Sequence, residues 1–257
     1  MVSTLSVDLN ADVGERFDSW RPGDDEAILK VVTTAHVACG FHSGDPTVMF
    51  ETVSTARRLG VAVGAHPSYL DREGFGRRPM DVDPRQIRAD VLYQIGALDG
   101  IARAVGTRVR SVKAHGALYN RMAVDTDCAE AVANATRDFG GDLWMVVPAG
   151  SPAVDVARAS GLAFVEEAFC DRRYSPDGTL ASRSDEGALI TDVHQVAERA
   201  VRLARDHEVE TTDGGTLRLS PSTLCVHGDT PGAAALAGAV RDALELAGLT
   251  VGSYSSK

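Results

Sequence analysis

The sequence predicts an α/β fold, a TIM-like (β/α) barrel in a seven-stranded variant, running through residues 1–257 as one domain. Three observations predict it. Short apolar runs alternate with longer segments of helical period along the whole chain, which implies a parallel sheet covered by helices. Seven such units favour a closed barrel over an open sheet, although a standard barrel has eight. No low-complexity linker and no close repeat divides the chain.

The strand-like runs fall at 5–9, 35–39, 61–65, 109–113, 143–147, 163–169 and 223–227. The helical segment at 46–59 opens on Asp45-Pro46 and stops before Gly60, and that at 84–105 opens on Asp83-Pro84 and stops before Gly106. Proline suits a first helical turn and glycine the position just past a last one. Ile87, Val91, Ile95 and Leu98 give the longer segment one apolar face. Segments 125–139, 151–159, 192–207 and 231–247 complete the helices. Asp213-Gly214-Gly215 is a turn signal, so 209–219 reads as an appended hairpin, the alternative being part of an eighth unit. The strand-to-helix loops 67–83 and 171–191 have the length of lids or binding loops.

Composition narrows the function classes. With 26 basic and 36 acidic side chains the formal charge is −10, which argues against a nucleic-acid or anionic-membrane surface. No run approaches the roughly 18 apolar residues of a membrane span. The opening MVSTLSVDLNADVGE places acids where a secretion signal carries positive charge and a long apolar run. The four cysteines, at 39, 128, 170 and 225, form neither a disulfide framework nor a CxxC knuckle, and a cytoplasmic location is expected. Three of them adjoin the strand ends, where a small buried hydrophobe is the expected role. Lysine occurs only at 30, 113 and 257, so an interior lysine stands out.

In such folds chemistry collects at the C-terminal ends of the strands. The first strand puts Asp8, Asn10 and Asp12 on one face, followed by Glu15. Buried, these groups need partners; an edge strand facing solvent is the plain alternative. His42, His66, His115 and His227 close four other strands, Lys113 shares a face with His115, and Glu167, Asp171, Arg172 and Asp229 lie nearby. Four histidines at four strand ends point to one shared site. Asp45 also suits a helix cap. The loops contribute Arg72, Arg77, Arg78, Arg172, Arg173 and Arg183, any one of which alone reads as solvated decoration. Walker-A, GxGxxG, HExxH and GxSxG signatures are absent. A metal site from Asp8 or Asp12 with two histidines is chemically feasible but rests on long-range spacing; Asp12, His42 and His66 are its candidates.

Several blocks resemble the LamB/YcsF family, the A subunits of 5-oxoprolinase: DLNADVGE at 8–15, ACGFHSGD at 38–45, GAHPS at 64–68, KAHGALYN at 113–120, EAFCDRRY at 167–174 and VHGD at 226–229. Asp71-Arg72 with Phe75-Gly76-Arg77, and Arg183-Ser184, belong to the same pattern. The likeness spans residues 5 to about 248. It implies a barrel related to glycoside hydrolases and polysaccharide deacetylases, and ATP-dependent opening of 5-oxo-L-proline to L-glutamate with partner subunits B and C. The catalytic candidates are then Asp8, Asn10, Asp12, His42, His66, Lys113, His115 and His227. The substrate-binding candidates are Glu15, Asp45, Arg77, Glu167, Asp171, Arg172, Arg183 and Asp229. Lys113 and a loop arginine would hold a carboxylate or phosphate, one of His42, His66 and His115 would move protons, and Asp8 or Asp12 would orient a histidine or activate water. ATP is implied as co-substrate, with the partners carrying some or all of the phosphorylation; a divalent metal is left open. Ala114 and His36 depart from the family pattern, and His36 is expected to point into the site. A metal-dependent deacetylase or amidohydrolase using the same pocket, and a non-catalytic scaffold for the partners, are the alternatives.

Overall fold

A computed structural model describes residues 6–16, 24–230 and 232–256. The predicted strand start at Leu5, and Pro231 and Lys257, lie outside the described residues. The strands are β1 (Ser6–Val13), β2 (Thr34–Ala38), β3 (Ala62–His66), β4 (Val109–Val112), β5 (Trp144–Pro148), β6 (Ala163–Phe169), β7 (Glu208–Glu210), β8 (Thr216–Arg218), β9 (Thr223–Val226) and β10 (Thr250–Val251). The helices are α1 (Asp25–Leu29), α2 (Pro46–Leu59), α3 (Pro84–Val105), α4 (Gly116–Met122), α5 (Thr126–Phe139), α6 (Pro152–Ala159), α7 (Val193–Arg205) and α8 (Ala233–Leu246).

Strands β1 to β6 and β9 pair in parallel in that order, and β9 returns to pair with β1, closing a seven-stranded barrel. β7 and β8 form a separate antiparallel hairpin and add nothing to the barrel wall. The two-residue β10 pairs with the first residues of β1 and flanks the barrel. Among the described residues no helix is long and apolar enough to cross a membrane.

α2 and α3 occupy the predicted residues, because their ends are written into the chain. Asp45 and Asp83 accept from backbone N–H groups of the first turn, proline follows each, and Gly60 and Gly106 take left-handed conformations at the ends. α7 stops at Arg205, short of the predicted 207, since His207 turns left-handed (φ +58°) into β7. Three short elements escape the sequence reading. α1 and β10 are too brief to show a period, and α4 starts without a side-chain cap.

Every residue of β1 after Ser6 is buried. Val7, Leu9, Ala11 and Val13 join the apolar shell beneath the helices, while Asp8, Asn10 and Asp12 face the barrel axis. β1 is therefore no edge strand: it is paired on both sides, and its polar face is the barrel interior. Trp144, Val146, Val165 and Tyr254 plug one end of that interior with apolar side chains. Above the plug, Gly64 leaves room for His36, whose ring would lie 2.4 Å from any Cβ there.

Candidate active site

The polar interior is layered. Lowest lies Asp8, whose carboxylate accepts from Thr33 Oγ1 (2.7 Å), Thr34 Oγ1 (2.6 Å) and Thr223 Oγ1. Burial pushes Asp8 up to about 6 in spite of these donors. Next comes Asn10, which donates to Glu167 Oε1 (2.9 Å) and Thr223 Oγ1 (2.7 Å) and faces His36 Nδ1 at 3.2 Å. Neither Asp8 nor Asn10 lines the cavity above. They lie one layer beneath the residues that line it. His36, expected to point into the site, is buried between Asn10 and Ser111 and does not reach the cavity. Burial holds it well below the ordinary histidine pKa, so it is neutral.

Lys113 is the centre of the upper layer. Its Nζ lies 2.9 Å from Asp12 Oδ1, 2.8 Å from Glu167 Oε1, 3.2 Å from Asn10 Oδ1 and 3.1 Å from Cys225 Sγ. Burial opposes its charge, but Asp12 together with Cys225 and Glu167 raises it well above the usual lysine value, so it is an ammonium. Asp12 is also buried, yet His66 and Lys113 hold it well below the carboxylate range. The Cys225 thiol is a packing neighbour of this pair; Cys39, Cys128 and Cys170 are likewise free and buried.

Beside this pair three histidines meet Glu15. His42 Nε2 is 3.1 Å and His115 Nδ1 3.2 Å from Glu15 Oε1, and His66 Nε2 is 3.0 Å from His115 Nδ1. The rings of His42 and His115 stack with centroids 3.8 Å apart. The cover is the 67–83 loop. Phe75 sets its ring edge-on to both stacked histidines, and takes a left-handed backbone (φ 54°) that brings its carbonyl to His115 Nε2 at 2.8 Å. A Cβ at Gly76 would lie 2.8 Å from both residues, so only glycine lets the loop lie this close. Gln94 of α3 clamps the root of the loop through both backbone groups of Ser68, and Ser68 Oγ meets His42 Nδ1. Of the proposed metal candidates, His42 and His66 join this group with Glu15 and His115. Asp12 stands outside it, engaged by Lys113, with its second oxygen 3.4 Å from His66 Nε2.

The cavity opens at the C-terminal ends of the strands and has a volume of about 570 Å³. Asp12, Lys113, Glu167, His66 and His115 form its floor, and Arg77, Arg172, Arg183 and His227 its rim. His227 turns Nδ1 towards both oxygens of buried Asp171 at 3.0 Å, which leaves Nε2 for the cavity. Burial favours the neutral acid in Asp171, but His227 and Arg183 keep it below the usual carboxylate value. Asp171 thus contacts His227 and does not itself line the cavity. Asp229 likewise holds rim arginines, at 2.7 Å from Arg77 and 3.7 Å from Arg183. Arg172 is buried, donates to the Ala181 carbonyl at 2.6 Å, and keeps Nε without a partner among the described residues. Burial and the nearby Arg183 lower it to about 10.

The Asp45 side chain accepts from Val48 N at 2.9 Å as the cap of α2, as its place before Pro46 suggests, and does not line the cavity. Arg72, Arg78 and Arg173 are structural, serving the carbonyls of Gly40 and Gly44, the Asp71 carboxylate, and the Gly187 carbonyl. Sequence reasoning did not single out Tyr119, Phe169 and Tyr174, which also line the cavity. All three lie inside the quoted sequence blocks, the only signal that could have found them.

The A subunit of 5-oxoprolinase from Kocuria rhizophila is 53% identical over 249 residues, covering 97% of this chain and 99% of that protein. A lactam utilization protein from Thermus thermophilus superposes with a TM-score of 0.90 at 45% identity, covering 97% of this chain and 100% of that one. The catalytic domain of a peptidoglycan N-acetylglucosamine deacetylase from Eubacterium rectale shares the fold alone, with a TM-score of 0.50 at 13% identity, over 100% of this chain and 92% of that one. The model of the LamB/YcsF family matches residues 7–257, and the chain belongs to that family.

Proposed function

We propose that the chain is the A subunit of an ATP-dependent 5-oxoprolinase, which opens 5-oxo-L-proline to L-glutamate together with subunits B and C. The observation that carries this reading is the cavity itself: a small chamber with a buried ammonium between two carboxylates on its floor and three guanidiniums on its rim. A lactam bearing one carboxylate suits such a chamber, and the name of the full-length relatives supports this substrate.

A rim guanidinium takes the substrate carboxylate in two parallel hydrogen bonds, the geometry at which arginine excels. The unpartnered Arg172 Nε leaves the rim with donor capacity for an anion, so the residues present also fit a phosphoryl group. ATP supplies the activation that an unreactive five-membered amide needs, and the lack of a phosphate-binding loop in this sequence fits phosphorylation at the partner subunits. Lys113 directs its fixed positive charge at the cavity floor, where negative charge develops on the lactam oxygen. His227, oriented by Asp171 as a base is by its carboxylate, takes a proton from the water that attacks the phosphorylated lactam carbon and returns one to the ring nitrogen as the C–N bond breaks. A second water then releases inorganic phosphate from the remaining acyl phosphate and leaves L-glutamate. Proton transfer belongs to His227 rather than to His42, His66 or His115, whose two ring nitrogens are all engaged. The cytoplasm is the compartment we infer, supported by four unpaired buried cysteines.

One observation favours a second reading, hydrolysis of an amide without ATP: the convergence of three histidines with Glu15. Phosphate release dependent on 5-oxoproline, measured with and without the partner subunits, separates the two. The expected outcome is release only with ATP and all subunits present. Lactam or amide hydrolysis by this chain alone, indifferent to ATP, overturns the proposal.

A further inference from the structure

We propose that Glu15, His42, His66 and His115 bind one divalent transition-metal ion beneath the cavity floor. The protons on the three rings can be counted from their partners. His66 Nδ1 faces the Lys113 carbonyl at 2.8 Å, and His115 Nε2 faces the Phe75 carbonyl at 2.8 Å. A carbonyl only accepts, so both nitrogens carry hydrogen. His42 Nδ1 faces Ser68 Oγ at 3.0 Å, and that hydroxyl donates to the Tyr69 carbonyl at 2.9 Å, so this nitrogen is a donor too. In the neutral rings, His42 Nε2, His66 Nε2 and His115 Nδ1 are therefore left with lone pairs. His42 Nε2 and His115 Nδ1 face Glu15 Oε1, and His66 Nε2 faces His115 Nδ1. Asp12 Oδ2 lies 3.4 Å from His66 Nε2, so a metal ion would displace the proton that His66 otherwise shares with Asp12.

These four electron-pair donors lie within 4.8 Å of one another. Three of the separations are 3.0, 3.1 and 3.2 Å, and His66 Nε2 to Glu15 Oε1 is 3.9 Å. Ligands about 2.0–2.1 Å from a tetrahedral ion stand roughly 3.3 Å apart, which three of these separations approach. Lone pairs facing lone pairs across about 3 Å repel unless a cation sits between them. Protons alone would need at least two added hydrogens in a buried site, and a metal removes the repulsion with a single ion. The carbonyl or hydroxyl behind each ring is the outer partner that orients a metal-ligating histidine.

Three imidazoles with one carboxylate favour zinc, cobalt, nickel, iron or manganese over magnesium or calcium, which prefer all-oxygen shells. His66 and His115 line the cavity whereas Glu15 and His42 do not, so the ion would lie directly beneath the chamber. A part for the ion in lactam opening rests on the function proposed above; the binding itself does not.

The test uses the full chain, stripped with chelator and titrated with Co²⁺ in the absence of ATP and partner subunits. The expected result is one Co²⁺ per chain, with visible d–d absorption of a nitrogen-rich site and displacement by Zn²⁺ but not by Mg²⁺. His115→Ala and Glu15→Gln should abolish the absorption. Ser68→Ala keeps every ligand, and should weaken binding by about 10-fold or more through lost orientation of His42. Should a ligand variant fail to fold, the wild-type titration and Ser68→Ala still decide. No stoichiometric Co²⁺ on the wild type, or a spectrum unmoved by folded ligand variants, overturns the proposal. Metal binding without ATP-coupled lactam opening would sink the proposed function and leave this site standing.

Discussion

Lys113→Met removes the one positive charge on the cavity floor while keeping the length and apolar stem of the side chain. In the wild type, Nζ is within 2.9 Å of Asp12 and 2.8 Å of Glu167, and all three residues are buried. Methionine leaves two buried carboxylates facing each other, with His66 beside Asp12 but no cation between them. Breaking a buried pair by deleting one partner costs about 3–5 kcal/mol, against a total stability of about 5–15 kcal/mol for a folded domain. For a chain of this size each kcal/mol moves the melting temperature by roughly 2–4 °C, so a fall of about 6–20 °C is expected.

The pH dependence of that fall identifies its cause. Without Lys113 one carboxylate of the pair must take up a proton in the folded state, so the folded variant binds more protons than its unfolded chain at neutral pH. Its stability then declines as pH rises, and the gap from wild type narrows on going from about pH 8 to about pH 5. Thermal melts or urea titrations at the two pH values measure this, and ATP-coupled turnover should be lost at both. A gap that is the same at both pH values, or a loss below about 1 kcal/mol, refutes the reasoning, since surface pairs are worth that little.

Arg172→Lys keeps the charge but gives up the planar fork, so KM for 5-oxoproline should rise about tenfold or more with kcat changed less. Steady-state kinetics of the reconstituted enzyme measure it, and an unchanged KM would remove Arg172 from substrate binding. Asp45→Ala should cost about 1 kcal/mol, read from urea titrations, through loss of the α2 cap with turnover intact. A raised KM without loss of stability would return Asp45 to the substrate site.

Much of this molecule is visible in the order of its residues. Asp-Pro at the start and Gly after the end delimit α2 and α3 because those signals act within one turn of chain. The alternation along 6–13 identifies a strand with one polar face. Histidines at strand ends mark where chemistry gathers, for parallel strands in a barrel all present their C-terminal ends to the same mouth. What each polar residue does there is another matter. Asp8, Asn10 and Asp12 are equivalent by parity, yet they lie at three depths: among threonines, under Glu167, and against Lys113.

Strand–helix alternation, the helix ends and the set of residues gathered at one mouth of the barrel are all legible along the chain, because they follow from local propensity and period. The count of seven units also points to a closed barrel, but the pairing that closes it, β1 with β9, joins residues more than 200 positions apart and is seen only in the fold. Nor is it legible that Asp45 stays clear of the cavity, that His227 keeps a nitrogen free for it, or that His42, His66 and His115 converge on Glu15. Each of these depends on which atoms from distant strands come within about 3 Å, a distance that no spacing along the chain encodes.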